Sequence, residues 1–322
     1  MVFARGDHRV TPRVIAILGP TASGKSEVAQ EVARILDGEV ISADSMQVYR
    51  GMDIGTAKLS ASEQMVPHHL IDILEPGEVF SVQLFQTLAR TSIKDISSRD
   101  KVPVLCGGTG LYVQAVLEDM RFPKGEQTHN EVRDKYESFA KTYGSQALWD
   151  ELHRKDRESA SRIHPNNTRR VVRALEMFEQ GISYADQIKD MRELPEVVSS
   201  LRFALMRDPV LLAERINIRV DRMIEMGLVQ EVESLLDKGL RSALTAPQAI
   251  GYKEIVAYLD GDTSLDDAIE QIKTATRRYA KRQRTWLRRD SRLTPLDADI
   301  LTTDQIIESI VERYQQESTI SL

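Results

Sequence analysis

Through the first 120 residues, short apolar runs alternate with segments whose apolar residues recur every three or four positions. Val14-Ile15-Ala16-Ile17-Leu18 is the first run. An unbroken apolar stretch this short reads as a buried strand. Residues 27–36 follow with Val28, Val32 and Ile35 on one helical face. Further strands are expected at 39–43, 68–74 and 102–106. A helix is expected over 81–97, capped by Ser81, with Val82, Phe85, Leu88 and Ile93 turned inward. Another runs through Leu111, Val113 and Val116. Strand and helix in alternation predict an α/β fold with a parallel sheet.

The pattern then changes. From Arg121 to about Pro195 strand signals vanish, and helical periods cover 132–143, 145–153, 167–180 and 184–191, with Gly125 and Pro195 at the edges. Asn167 or Thr168 can cap the third of these. Leu201 to Met206 returns to strand, Pro209 opens a helix, and helices near Gln248, from about Leu265, and over 304–314 complete the chain, the last capped by Thr303. The expected organisation is therefore three segments: 1–120, the first part of the core; 121–198, a helical insertion; and 199–322, the core continued with basic C-terminal helices.

Between the first strand and helix stands Gly19-Pro20-Thr21-Ala22-Ser23-Gly24-Lys25-Ser26. It matches the phosphate loop G-x-x-x-x-G-K-[ST] in the strand–loop–helix context that the motif requires. The loop's backbone N–H groups and the helix N-terminus converge on one anion. Lys25 can reach terminal phosphates, and the Ser26 hydroxyl is placed to ligate Mg²⁺. The fold class sharpens to a P-loop NTPase-like parallel sheet core, helices on both faces, with an inserted all-helical domain.

In such sheets ligands sit beyond the carboxyl ends of the strands. Asp44 ends the second strand on that edge, followed by Ser45-Met46-Gln47 and a glycine-spaced stretch to Lys58. Its carboxylate could be a general base, hold metal-bound water, or cap a helix. The fourth strand ends in Cys106-Gly107-Gly108-Thr109, where many P-loop hydrolases carry a metal-holding aspartate. That substitution argues against a motor or switch. The glycines suit close approach of backbone to a ligand, and Thr109 can donate to a phosphate oxygen. His68 and His69 are adjacent in a strand and point to opposite faces, which disfavours a shared metal.

Composition excludes several classes. There is one cysteine, Cys106, so no internal disulfide and no cysteine-rich zinc site. No apolar run approaches the roughly 20 residues of a membrane helix. Residues 1–12 are polar, without the apolar core of a secretory leader, and are expected to fray. The cytoplasm is the expected location, with no membrane partner. A net charge of −6 would not suggest nucleic acid, yet residues 277–292 hold eight Lys or Arg and one acid, Asp290, with Tyr279 and Trp286 interleaved. A cationic helix with aromatics can meet a polyanion such as RNA; otherwise it is a solvated face. Arg169 and Arg173 lie one helical turn apart, as do Arg215 and Arg219, and each pair could grip phosphate or face solvent.

Five blocks together resemble the bacterial tRNA dimethylallyltransferase family: 19–26, 44–58, Gly107-Gly108-Thr109, Ile250-Gly251-Tyr252, and Lys281-Arg282-Gln283-Arg284-Thr285-Trp286-Leu287-Arg288. The resemblance covers nearly the whole chain and excludes its termini. It implies prenyl transfer from dimethylallyl diphosphate to N6 of adenosine 37 in the anticodon stem-loop of tRNAs that read codons beginning with U. The phosphate loop, Gly19 to Ser26, would hold the isoprenoid diphosphate rather than ATP, with Ser26 as the protein's Mg²⁺ ligand. Asp44 would take a proton from the adenine amine, Thr109 would bond the bridging oxygen, and Arg219 would contact the diphosphate from the opposite side. The resemblance also makes tRNA-contacting segments of Asp44, Ser45, Met46 and Gln47; of Arg169, Arg170, Val171, Val172 and Arg173; of Gly251 and Tyr252; and of Lys281, Arg282, Gln283, Arg284, Trp286 and Arg288. A monomer is expected. The appended zinc finger of eukaryotic members is not expected, and the tail 1–12 matches nothing in the family pattern. A small-molecule P-loop kinase, an adenylate isopentenyltransferase acting on free AMP, and a non-catalytic RNA-binding protein are the competing readings.

Overall fold

The computed structural model describes residues 14–120, 122, 130–190, 194–243 and 245–320. The tail 1–12, Gly125 and Met191 lie outside them. Contacts divide the chain into two compact units, one of residues 1–117 and 198–322, the other of 118–197.

The first unit is built on six parallel strands in the order β3-β2-β4-β1-β5-β6. They are β1 (Val14–Leu18), β2 (Gly38–Ala43), β3 (His68–His69), β4 (Val102–Gly107), β5 (Ser200–Met206) and β6 (Leu293–Asp297). β1 is central, between β4 and β5. Its residues alternate between two cores: Val14, Ala16 and Leu18 pack on one face, Ile15 and Ile17 on the other. Helices cover both faces, which a parallel sheet requires. α1 (Lys25–Ile35) and α12 (Thr303–Ile320) pack on the Ile15 and Ile17 face. The opposite face receives α2 (Val82–Ser98), α3 (Gly110–Leu117), α8 (Pro209–Glu225), α9 (Leu228–Asp237), α10 (Tyr252–Leu259) and α11 (Leu265–Leu287). Because all strands run one way, β1, β2 and β4 deliver the phosphate loop, Asp44 and Gly108 to one edge.

Several expectations change. α1 turns Val28, Ala29, Val32 and Ala33 inward and leaves Ile35 exposed. β3 stops after two residues, because Leu70 and Asp72 adopt positive φ (62° and 52°) and leave extended geometry. β6 was not expected: only Leu296 in it is buried, and Pro295 is tolerated because the strand is at the sheet edge. α12 is capped by Thr302 rather than Thr303, since Gln305 N–H donates to the Thr302 hydroxyl and Thr302 N–H donates to the Gln305 amide. Gly251 does not interrupt a helix. It sits at the N-cap of α10 with φ 98° and donates its N–H to Glu254.

The second unit consists of α4 (Glu131–Lys155), α5 (Arg157–Ser161), α6 (Thr168–Glu179) and α7 (Tyr184–Asp190). Gly144 (φ 85°) breaks α4 between the two helical stretches expected there. The Asn167 side chain caps α6 by accepting from Arg170 N–H. The core of this unit is Tyr136, Leu148, Leu152, Val171, Val172 and Leu175, among others. Among the described residues, no helix is long and apolar enough to cross a membrane.

Candidate active site

The phosphate loop is held from three sides. Gly19 N–H donates to the Gly107 carbonyl at 3.3 Å, linking it to β4. Arg207 donates to the Ser23 carbonyl and Arg215 to the Ala22 carbonyl, from the end of β5 and from α8. Thr21 N–H donates to the Gln283 amide oxygen of α11 at 2.9 Å. Gly24 adopts φ 96° at the N-cap of α1, a conformation costly for any residue with a Cβ. It leads the chain into α1, so Lys25 and Ser26 open the helix.

A cavity of about 80 Å³ lies over this loop. Lys25, Ser26, Asp44, Cys106, Arg219 and Tyr279 line it, together with His68 and Lys58. Lys25 donates to the Pro20 carbonyl at 3.3 Å. Burial lowers its pKa, opposed by Cys106, and Arg219 lowers it further. Burial also lowers that of Arg219, partly offset by Asp44. Two cations crowded this way form a site short of negative charge, which suits an anionic ligand. Burial pushes the Cys106 thiol up to about 11, which leaves it a neutral wall. Lys58 ties down the 51–58 loop by donating to Asp53 at 2.6 Å and Asp72 at 2.5 Å.

A second, more apolar cavity of about 260 Å³ adjoins the first. Met46, Val220, Met223, Ile250 and Ile272 contribute its apolar wall. Thr21, Asp44, Thr56, Arg219 and Tyr279 line both cavities. Asp44 thus stands at their boundary, its carboxylate fixed by accepting Met46 N–H at 2.9 Å. The Tyr279 hydroxyl lies 3.4 Å from that of Thr109. Burial, then Asp44, pushes the Tyr279 phenol up to about 12, so it remains a donor. A third, open groove of about 640 Å³ outside the loop presents Arg215, Arg219 and Arg222 beside Lys25 and Ser26.

A family model described as IPP transferase matches residues 47–290, and one described as isopentenyl transferase matches residues 12–69. The chain belongs to the IPP transferase family. It is 50% identical, over 86% of its length and 89% of the relative's, to a tRNA dimethylallyltransferase of Thermoanaerobacter sp. strain X514. The solved tRNA isopentenylpyrophosphate transferase of Staphylococcus epidermidis is 39% identical with a TM-score of 0.71, covering 95% of this chain and 99% of its own. A eukaryotic dimethylallyltransferase acting on tRNA is 28% identical with a TM-score of 0.74, over 92% of this chain and 78% of its own.

The structure sorts the residues that the family resemblance nominated. The phosphate loop, Asp44 and Arg219 meet at one site, with Thr109 joined to it through Tyr279. Ser45, Met46 and Gly251 line the larger cavity, as does Arg282, which lies over the Tyr279 ring at 5.5 Å. Gln47 lines the smaller one, its amide joining the Ser42 hydroxyl to the Thr56 carbonyl. Arg169 and Arg170 are exposed on α6, whereas Arg173 is half-buried against Glu176 at 3.5 Å. Lys281 and Arg288 are exposed on α11, and Arg284 is half-buried.

Four nominations need correction. Val171 and Val172 are buried in the helical unit's core, and so cannot reach RNA with their side chains. Tyr252 is fully buried, with its phenol donating to Glu231 at 2.6 Å. Gln283 is buried between the two glycine loops, on the wall of the smaller cavity rather than on the outer face of α11. The glycines at 108 and 110 are required by protein rather than ligand: a Cβ at Gly108 would overlap the Gln283 amide, and one at Gly110 the Trp286 ring.

Sequence reasoning missed Glu231 on α9. Its carboxylate accepts N–H bonds from Asp53 at 3.1 Å, Ile54 at 2.7 Å and Gly55 at 3.2 Å, besides the Tyr252 phenol. It thereby shapes the loop that carries Thr56 to the site. Its sequence signal is only an acid in the first turn of a helix, which the helix dipole favours anyway.

His68 gives a pH signature. Burial, then His69, lowers its pKa from the ordinary 6.5 to about 4, and its Nε2 is buried without a partner. Between these two values the unfolded chain binds a proton that the folded chain refuses. Stability from this group is full above the upper value and falls as pH drops through the window. His68→Asn is expected to flatten the fall of the urea midpoint across that window. An unchanged slope would contradict the assignment.

Proposed function

We propose that this chain transfers a dimethylallyl group from dimethylallyl diphosphate to N6 of adenosine 37, in tRNAs that read codons beginning with U. The observation that carries this reading is the placement of Asp44 and Arg219 on the wall shared by both cavities. A diphosphate over the phosphate loop and a flat apolar base in the larger cavity meet there. Base-modifying enzymes take their target base out of the stack into such a pocket.

The chemistry follows from the groups present. The adenine amine attacks the allylic carbon, the carbon–oxygen bond breaks, and its electron pair leaves with the diphosphate. Asp44 takes the proton of the amine. Lys25, the loop N–H groups and Arg219 face the negative charge that grows on the leaving group, and Thr109 bonds the bridging oxygen. The amine is a weak nucleophile, so positioning contributes much of the rate.

Mg²⁺ fits the site. Ser26 lines the smaller cavity at the start of α1, and its hydroxyl is a hard oxygen donor of the kind the ion prefers. When bound, the ion would supply further charge neutralisation to the leaving group.

The chain would act as a monomer, and a tRNA acceptor is met in the cytoplasm. Labelled dimethylallyl diphosphate offered with tRNA or with free AMP tests the acceptor. Label is expected in tRNA; label in AMP alone would assign the chain to the adenylate-directed class. The exposed cations of α11 contact phosphate on this reading. Neutralising Lys281 and Arg288 is expected to weaken tRNA binding and reduce the salt slope of its affinity by about one per lost contact. An unchanged slope would remove this helix from the RNA interface.

A further inference from the structure

α11 carries two faces with different tasks. Tyr279, Gln283 and Trp286 fall at i, i+4 and i+7, on one stripe. Lys281, Arg284 and Arg288 fall on the opposite side. The inner stripe meets the two glycine loops. Tyr279 reaches Thr109, and Trp286 lies against Gly110 so closely that no side chain fits there. Gln283 sits between them and touches both loops at once.

Both ends of the Gln283 amide are bonded within the protein. Its oxygen accepts from Thr21 N–H of the phosphate loop at 2.9 Å, and its nitrogen donates to the Gly108 carbonyl at 3.0 Å. The residue is 6% exposed. Thr21 N–H is therefore committed to Gln283. The phosphate loop carries Lys25 and Ser26, and the other loop carries Thr109. One side chain thus spans the two halves of the anion site. A glutamine suits this role because its amide holds an acceptor oxygen and a donor nitrogen at a fixed separation. Glycine at 108 lets the amide approach the backbone.

We propose that Gln283 is a positioning residue of the diphosphate site, one that fixes the spacing between the phosphate loop and the Gly107-Gly108-Thr109 turn. It does so from the helix whose outer face carries the cations, by bonding the two loops at the wall of the smaller cavity. The inference rests on the diphosphate reading of the loop given above.

Binding of inorganic diphosphate to the full chain, measured by calorimetry without tRNA, tests it, alongside KM for each substrate. Gln283→Met keeps the shape and removes both hydrogen bonds. It is expected to weaken diphosphate binding and raise KM for dimethylallyl diphosphate by about tenfold, with KM for tRNA unchanged. Gln283→Glu keeps the acceptor for Thr21 but sets a carboxylate oxygen against the Gly108 carbonyl, and is expected to show the same split should the methionine variant fold poorly. Lys281→Ala is expected to show the opposite split. Unchanged diphosphate affinity in both Gln283 variants would overturn the proposal, as would a rise in KM for tRNA alone. The wild-type chain is the control: if it binds no diphosphate, the functional reading itself falls before any variant is compared.

Discussion

Replacing Asp44 with alanine is expected to lower the rate of prenyl transfer by about 10²–10⁴-fold while leaving tRNA affinity nearly intact. The size follows from the role. A carboxylate at the junction of the two cavities can remove the amine proton as the new bond forms, and nothing else on that shared wall is an anionic base. The alanine variant also loses the hydrogen bond to Met46 N–H, a structural cost separate from catalysis. Asp44→Asn separates the two effects, because its side-chain oxygen can still accept that bond but cannot take the proton. The asparagine variant is therefore expected to fall almost as far. Single-turnover kinetics with saturating tRNA check this. Near-normal turnover in Asp44→Asn, or a large loss of tRNA affinity with normal turnover, would refute the base assignment.

Lys25→Met is expected to reduce the transfer rate by about 10²–10³-fold, the scale for removing one preorganised donor from a developing negative charge. Its effect on stability is expected to have the opposite sign. Burial holds the Lys25 pKa below its ordinary value, and the Arg219 charge adds to this, so the folded chain carries an ammonium it would rather not bury. A methionine of similar length removes that burden, and the urea midpoint is expected to hold or rise. A gain in stability with a loss of rate marks a residue kept for chemistry. A fall in both would place Lys25 among the residues that hold the loop together.

The parts of the fold with strong local patterns were legible in the sequence. β1 and β4 are continuous apolar runs, β2 and β5 are apolar but for Glu39, Ser42 and Arg202 within them, and the phosphate loop between β1 and α1 is a spacing that few other structures explain. β6 was not legible, because an edge strand buries little: Leu293-Thr294-Pro295-Leu296-Asp297 carries a proline and only one buried residue. Asp44 could be placed at the sheet edge from its position after β2, and the structure adds that the same carboxylate reaches two cavities. Glu231 could not be read at all, and Gln283 was nominated only as a tRNA contact, its link between the two loops not being legible. Each acts on backbone N–H or C=O groups of a loop far away in the chain, and side chain-to-backbone pairing over such separations leaves no periodicity. Proximity within a motif misled in the same way: Val171, Val172 and Tyr252 stand beside candidate contact residues in sequence, yet point into cores.

The central claim is that the phosphate loop cradles a leaving diphosphate whose organic tail is the group transferred. Mass analysis of tRNA nucleosides, after incubation with the chain, dimethylallyl diphosphate and Mg²⁺, tests it most directly. The account predicts a single adenosine species heavier by one dimethylallyl group in place of a hydrogen, with diphosphate released in equal amount. Unmodified nucleosides, together with phosphate transfer when ATP replaces the isoprenoid, would contradict it.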